Sequence, residues 1–380
     1  MAPSVHPLDP LSAEEIRRAA GIVRDAGLVA DGSRFARIVL DEPDKEALAS
    51  GGSIERRALV TIVPTPDPDV VEAVVSLTHG TVVEHEVVHD VRPALLYEEA
   101  INAVVALHEH EGFKAALAKR GITDLATVQI DPWPAGTFGS PHEPGRRISR
   151  CICYLRDVPT DNGYARPIEG IVAIVDIARG EVLELIDTGV VPIPEDPGSY
   201  LPADNEPLRT DIRPVEITQP DGPSFTLDGH HLTWGRWSLH IGFDPYEGLV
   251  LHTVGYVDGG RTRPVLHRAS ISEMVVPYGE PGPLHGWKNA FDAGEWGLGR
   301  MTNSLALGCD CLGEITYLDG ELCTEQGDVQ TIANAICLHE EDFGILWKHQ
   351  DLHAGTTEVR RQRRMVISSI ATVGNYAYGF

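Results

Sequence analysis

The sequence predicts an α+β protein: two small α+β domains of one design, followed by the first part of a large antiparallel β-sandwich. Three observations carry that expectation. A helix-then-strands order occurs twice, a Pro-, Asp- and Gly-dense stretch follows it, and beyond that stretch apolar and polar residues alternate through several runs.

The first helix starts at Ser12-Ala-Glu-Glu15, a capping box in which the Ser hydroxyl bonds the amide three residues on and Glu15 reaches back to the Ser12 amide. Ile16, Ala19, Ala20 and Val23 give it one apolar face, and Gly27 stops it. Runs rich in β-branched residues follow at 35–40, 58–63 and 70–77 and read as strands. A second helical pattern runs from Glu98 to Lys119 with Ile101, Val104, Val105, Leu107 and Ala115, ends at Gly121, and is again followed by strands. Residues 74–84 align best with 174–184, each a hairpin turning at a glycine, Gly80 or Gly180. Two successive domains, 1–92 and 93–195, follow from that match. From Pro192 to Asp221 prolines and turn formers prevent a continuous ladder of hydrogen bonds, which places a linker at 196–212. The remainder, 213–380, opens with alternating runs from Phe225 to Val276, as one half-buried sheet after another requires, and Arg364–Gly374 reads as a further strand.

Composition narrows the function classes. Against 56 acidic residues there are only 31 basic ones, a formal net charge of -25, so counter-charge for a nucleic-acid backbone is lacking. The first fifteen residues carry no basic segment followed by an apolar one, and no uncharged apolar run reaches about 18 residues. A soluble cytoplasmic protein, bound to no membrane, is the expectation. Six cysteines are too few for a disulfide framework.

Most motif-like stretches have a plain structural reading. His85-Glu86-Val87-Val88-His89 has the H-E-x-x-H form of zinc proteases, but the run around it is β-rich. On a strand its two histidines stand roughly 13 Å apart, too far for one metal. His108-Glu109-His110 falls in the second helical pattern, where residues two apart point away from each other. His230-His231 follows Asp-Gly and reads as a turn with exposed rings. Cys151 and Cys153 alternate along one strand and share a core face, while Cys309, Cys311, Cys323 and Cys337 contain no C-x-x-C knuckle and read as buried thiols or one disulfide. Nucleotide-binding glycine motifs and the G-x-S-x-G of serine hydrolases are absent from the sequence.

Two segments remain. Phe291-Asp292-Ala293-Gly294-Glu295-Trp296 sets a carboxylate in an apolar, aromatic stretch, where burial raises its pKa and suits it to act as a base. Thr372-Val373-Gly374-Asn375-Tyr376 puts a tyrosine beside small residues near a strand end. On spacing alone an isolated Asp or Tyr is more often a turn former or a core aromatic.

The T-x-x-N-Y segment resembles the site of copper amine oxidases, whose Tyr becomes topaquinone. ITQPDGPSF, WSLHIGFD, HRASISEMVVPYG, NSLALGCDCLGEITYLD, CLHEEDFGILWKH and RRMVISS are similar to stretches of that family too, so the resemblance covers nearly the whole chain. It implies oxidation of a primary amine by O2 to an aldehyde, ammonia and hydrogen peroxide, with copper and topaquinone as cofactors, in a homodimer. Residue by residue, it makes Tyr376 the quinone precursor, Asn375 its flanking residue, Asp292 the catalytic base and Tyr278 a hydrogen-bonding partner of the quinone oxygen. Trp133, Tyr164 and Trp296 would line the substrate channel, with Ala290 at the position of a gating Tyr in some relatives, which suits an arylalkylamine. Cys311 and Cys337 match a disulfide of similar enzymes. The chain departs from the pattern at Ala377, where the family has Asp or Glu, and none of the three copper-binding histidines that the family carries downstream of its quinone is present, so no metal ligand is assigned. The expectation is therefore an amine oxidase whose 380-residue chain holds no stoichiometric copper by itself, with a catalytically inactive fragment or remnant as the alternative.

Overall fold

The computed structural model describes residues 6–380 apart from 67, 68, 90, 135 and 283. Helix α1 (Ala13–Asp25) begins as its cap requires: the Glu15 amide donates to Ser12 Oγ at 3.3 Å and the Ser12 amide to Glu15 Oε2 at 2.9 Å. Its apolar face, Ile16, Ala19, Ala20 and Val23, is buried on a four-stranded antiparallel sheet ordered β1 (Arg34–Leu40), β2 (Arg57–Val63), β3 (Val70–Ser76), β4 (Thr81–Val88). A short helix, α2 (Lys45–Ser50), joins β1 to β2.

The second unit repeats this plan. Helices α3 (Tyr97–Glu109) and α4 (Glu111–Ala118) precede the sheet β5 (Val128–Pro134), β6 (Ile148–Leu155), β7 (Ile171–Asp176), β8 (Glu181–Asp187). The two hairpins agree in register: Ser76 faces Thr81 and Val75 faces Val82, as Asp176 faces Glu181 and Val175 faces Val182, with one irregularity just beyond in each. Gly80 and Gly180 take φ of 72° and 64°, a left-handed backbone that a side chain would strain. Cys151 and Cys153 are both buried in the core of this unit, on the shared face their alternation predicts.

Two sequence readings need correction. The expected single helix from Glu98 to Lys119 is two, because His110 turns out of helical geometry (φ -79°, ψ 114°) and its Nδ1 accepts the Phe113 amide at 3.1 Å, capping α4. His110 therefore leaves the helix that was to carry it alongside His108 and Glu109. His230 and His231 are half-buried instead of exposed: β-pairing sets His231 opposite His240, and their rings stack with centroids 4.7 Å apart. The strand reading of H-E-x-x-H holds, since His85 lies within β4 opposite Ala73, and His89, just past its end, bonds Asp69 at 2.8 Å.

Among the described residues, 192–221 contain no strand, only a short helical turn at Pro202–Asp204 and a tight turn closed by the Gly222 amide donating to the Gln219 carbonyl at 2.9 Å. Beyond lies a five-stranded antiparallel sheet, β9 (Phe225–Asp228), β10 (His231–Trp234), β11 (Trp237–Asp244), β12 (Gly248–Asp258) and β13 (Arg261–Ala269). Next come the small pair β14 (Val275–Pro277) and β15 (Asn289–Phe291), then the sheet β16 (Thr316–Cys323), β17 (Val329–Asp351), β18 (Thr356–Ser368). The five-stranded and three-stranded sheets share a core of Leu232, Ile241, Leu322, Ile336 and Leu338, which is the sandwich the alternation predicts. A hairpin, β19 (Ile370–Val373) and β20 (Tyr376–Gly379), follows.

The small domains hold the sandwich in place at the level of the site. Glu325, in the β16–β17 turn, accepts the Phe35 amide on its carbonyl at 2.9 Å and the Tyr97 and Glu98 amides on its carboxylate. The Leu95 amide donates to the Glu295 carbonyl at 2.9 Å, and Arg300 Nη1 donates to the Leu95 carbonyl at 3.0 Å, so the inter-domain strap fixes the segment containing Asp292.

Candidate active site

Asp292 opens a π-helical turn, Asp292–Trp296, an uncommon local form that recurs at functional sites. Its amide donates to the Met274 carbonyl at 3.0 Å, and the Glu273 carboxylate pins the turn by accepting the Ala293 and Gly294 amides at 2.9 and 3.0 Å. Asp292 is only 3% exposed, and burial pushes its pKa up. Above it stands the β19–β20 hairpin, whose two-residue turn, Gly374-Asn375, lies between the paired Val373 and Tyr376. Gly374 has φ of 58°, the positive value that such a tight turn needs at its first loop residue.

Alternation along β20 sends Tyr376 and Tyr378 to one face. It is Tyr378 that meets the base, donating its hydroxyl to Asp292 Oδ2 at 2.8 Å. Burial, and after it the bond to the Asp292 carboxylate, push the Tyr378 phenol up to about 12, so it stays protonated and remains a donor. Tyr376, 53% exposed, hydrogen-bonds Tyr278, whose own pKa is raised chiefly by burial and then by that bond. Asn375 accepts a hydrogen bond from the Tyr200 hydroxyl.

The second small domain supplies the opposite wall. Trp133, on β5, meets Tyr278 and Trp296 edge-on with centroids 5.5 and 6.4 Å away. Tyr164 lies beneath the hairpin turn: a Cβ on Gly374 would stand 3.7 Å from its hydroxyl oxygen. Ala290, on β15, is buried. All eight residues named from the sequence for chemistry or channel, namely Asp292, Tyr376, Asn375, Tyr278, Trp133, Tyr164, Ala290 and Trp296, line one cavity of about 670 Å³. Sequence reasoning missed Tyr378, Asp131 and Lys288, which line it as well. The period-2 rule applied outward from Tyr376 would have found Tyr378; nothing local marks the other two.

Cys311 and Cys337 are both thiols in this structure. Their sulfurs and a ring nitrogen of His339 lie within 4.8 Å of one another, and burial and the neighbouring thiol push Cys311 up to about 12. The resemblance-based disulfide pairing thus joins residues that are neighbours here but are not bonded.

Copper does not fit the cavity. Among the described residues two groups could converge on a metal, Cys311 with Cys337 and His339, and His6 with Asp9 and His240, and no member of either lines it. A quinone derived from Tyr376 does fit, since that ring already sits against Tyr278 within the same cavity as Asp292.

Glu295, in the same turn, is pushed up from 4.5 to about 7, first by burial and then by the carboxylates of Glu273 and Asp292. A carboxyl whose folded pKa is raised favours the folded state less as pH climbs from its unfolded value to its folded one. Stability is therefore expected to fall between about pH 4.5 and 7, with Glu295→Gln flattening that part of the profile in urea melts. An unchanged slope in the variant would contradict it.

Comparison with known proteins identifies the lineage. Residues 226–380 match the copper amine oxidase enzyme domain, 98–201 the copper amine oxidase N3 domain and 12–85 the AGAO-like N2 domain. The chain belongs to the copper amine oxidase family. It is 47% identical over 376 residues to a primary amine oxidase of Arthrobacter sp. (strain P1), covering 99% of this chain and 58% of that protein. To a histamine oxidase of Arthrobacter globiformis it is 48% identical over 388 residues, covering 100% of this chain and 56% of the relative. Among solved structures, a copper-containing benzylamine oxidase from Hansenula polymorpha superposes with a TM-score of 0.86 at 31% identity, over 99% of this chain and 61% of that one. The copper amine oxidase chain described here thus spans little more than half the length of the curated relatives it matches.

Proposed function

We propose that this chain carries the amine-binding and proton-abstracting part of a primary-amine oxidase that converts an amine and O2 to an aldehyde, ammonia and hydrogen peroxide. The observation behind this reading is that Asp292, Tyr278 and Tyr376, from three separate elements, line the same aromatic-walled cavity. Topaquinone formed on Tyr376 would supply a carbonyl to take up the amine and a sink for the electrons released from its α-carbon. Asp292 is the base that removes the α-proton. Tyr378 holds Oδ2 and leaves Oδ1 to receive that proton, while burial raises the affinity of the carboxylate for it. Tyr278 orients the ring at position 376 by its hydrogen bond, and Trp133 and Trp296, packed edge-on, form an aromatic wall of the same cavity.

Aromatic walls with the small Ala290 between them favour an arylalkylamine such as phenethylamine, tyramine or histamine. The test is turnover by the protein supplied with copper ligands: kcat/KM for phenethylamine is expected to exceed that for 1,4-diaminobutane by at least about tenfold, the discrimination a well-filled apolar pocket gives. Comparable values would defeat the substrate assignment.

A homodimer is part of the same proposal. The β17–β18 ribbon runs out past the sandwich core and exposes Phe343, Ile345, Leu346, Trp347 and Leu352, an apolar stretch that a second subunit would cover. Light scattering on Leu346→Ser/Trp347→Ser is expected to show the dimer weakened towards monomer; a dimer of unchanged affinity would argue against this surface.

A further inference from the structure

Lys288, the last residue of the loop that leads into β15, projects its ammonium into the cavity wall. Nζ stands 4.6 Å from the Trp133 ring centroid and 4.4 Å from that of Tyr278, so two aromatic faces hold the charge. Among the described residues its ammonium makes no ion pair or hydrogen bond, and the residue is half-buried. The one carboxylate that attracts it, Asp131, also lines the cavity but is already bound by Gln129 Nε2 at 2.9 Å and by the Tyr164 hydroxyl. Burial works against protonation of Lys288 and against ionisation of Asp131, the direction expected when two charges face a space poor in water.

We propose that Lys288 is a specificity-determining residue that makes this cavity select monoamines over diamines, its fixed ammonium repelling a second ammonium at the far end of the substrate. The inference rests on the reading of the cavity as an amine site and deepens it. A monoamine presents one cationic end, which is drawn to the Asp292 carboxylate, and an uncharged remainder that lies along Trp133 without penalty. The second ammonium of a straight-chain diamine must pass the Lys288 charge on the same wall. Two like charges separated by a few ångströms repel weakly in bulk water and several times more strongly at a half-buried surface. Asp131 opposes this effect and softens it, because its negative charge would welcome the same ammonium.

The test compares n-pentylamine with 1,5-diaminopentane, equal in chain length and different in one charge, binding to the 380-residue chain by isothermal titration calorimetry. The wild type is expected to bind the monoamine about tenfold more tightly, a value between the bulk-water and protein-surface limits. Lys288→Gln is expected to collapse that ratio towards one, Lys288→Arg to preserve it, and Asp131→Asn to widen it. Lys288→Met serves as the neutral variant if the Gln protein does not fold, as judged by circular dichroism. A ratio unchanged within about twofold in the neutral variant, or a wild type that prefers the diamine, overturns the role of Lys288 while leaving the amine site standing. Failure of the wild type to bind either amine removes the amine site itself, and this inference with it.

Discussion

Asp292→Asn is expected to lower kcat for amine oxidation by about 10²–10⁴, the contribution typical of a positioned general base. That range corresponds to about 3–5 kcal/mol on the barrier at about 1.36 kcal/mol per decade. Asparagine keeps the size of the side chain and an oxygen that accepts from Tyr378, so the hydrogen bond now measured at 2.8 Å has a replacement. What is lost is the ability to hold a proton taken from the substrate carbon. The measurement is steady-state and single-turnover kinetics in the protein supplied with copper ligands, with quinone content fixed by phenylhydrazine titration in both forms. A decrease of less than about tenfold at equal quinone content would show that another group takes the proton. Asp292→Ala is a harsher change, since it also leaves the Tyr378 hydroxyl without its acceptor.

The second large effect is an absence of product. Incubated with copper(II) and O2, the 380-residue polypeptide is expected to retain copper only substoichiometrically after dialysis and to form no phenylhydrazine-reactive chromophore. Copper(II) favours imidazole in a defined geometry, and quinone formation needs the metal beside the tyrosine. Among the described residues the groups capable of converging on a metal are elsewhere in the molecule, at Cys311, Cys337 and His339 and at His6, Asp9 and His240. A coloured phenylhydrazine adduct, present in the wild type and absent in Tyr376→Phe, would refute the expectation. Copper retained without colour, and lost on His240→Ala, would instead place the metal in the histidine cluster against the sandwich.

Much of the fold was legible because its signals are local. Ser12 and Glu15 cap a helix through bonds between residues three apart, Gly80 and Gly180 turn hairpins through their own φ angles, and alternation marks a strand whatever it later pairs with. His110 misled for the same reason: as one residue in a long helical pattern it looked interior, and only the bond from the Phe113 amide to its ring shows a helix ending and another beginning there. The half-buried state of His231 likewise depends on His240, nine positions on and in the neighbouring strand.

The sequence by itself determined the order of helices and strands, the repeat, and the residue types available for chemistry, since each is set by contacts within a few positions or by likeness to a family. Tertiary structure alone decided that Tyr378 rather than Tyr376 bonds Asp292 across 86 positions, that Lys288 rests on Trp133 and Tyr278, and that His339 joins the Cys311 and Cys337 pair. The physical reason is that such meetings are fixed by how sheets and loops pack. Packing sums many weak contacts among residues distant in the chain, and no single stretch of sequence records the total.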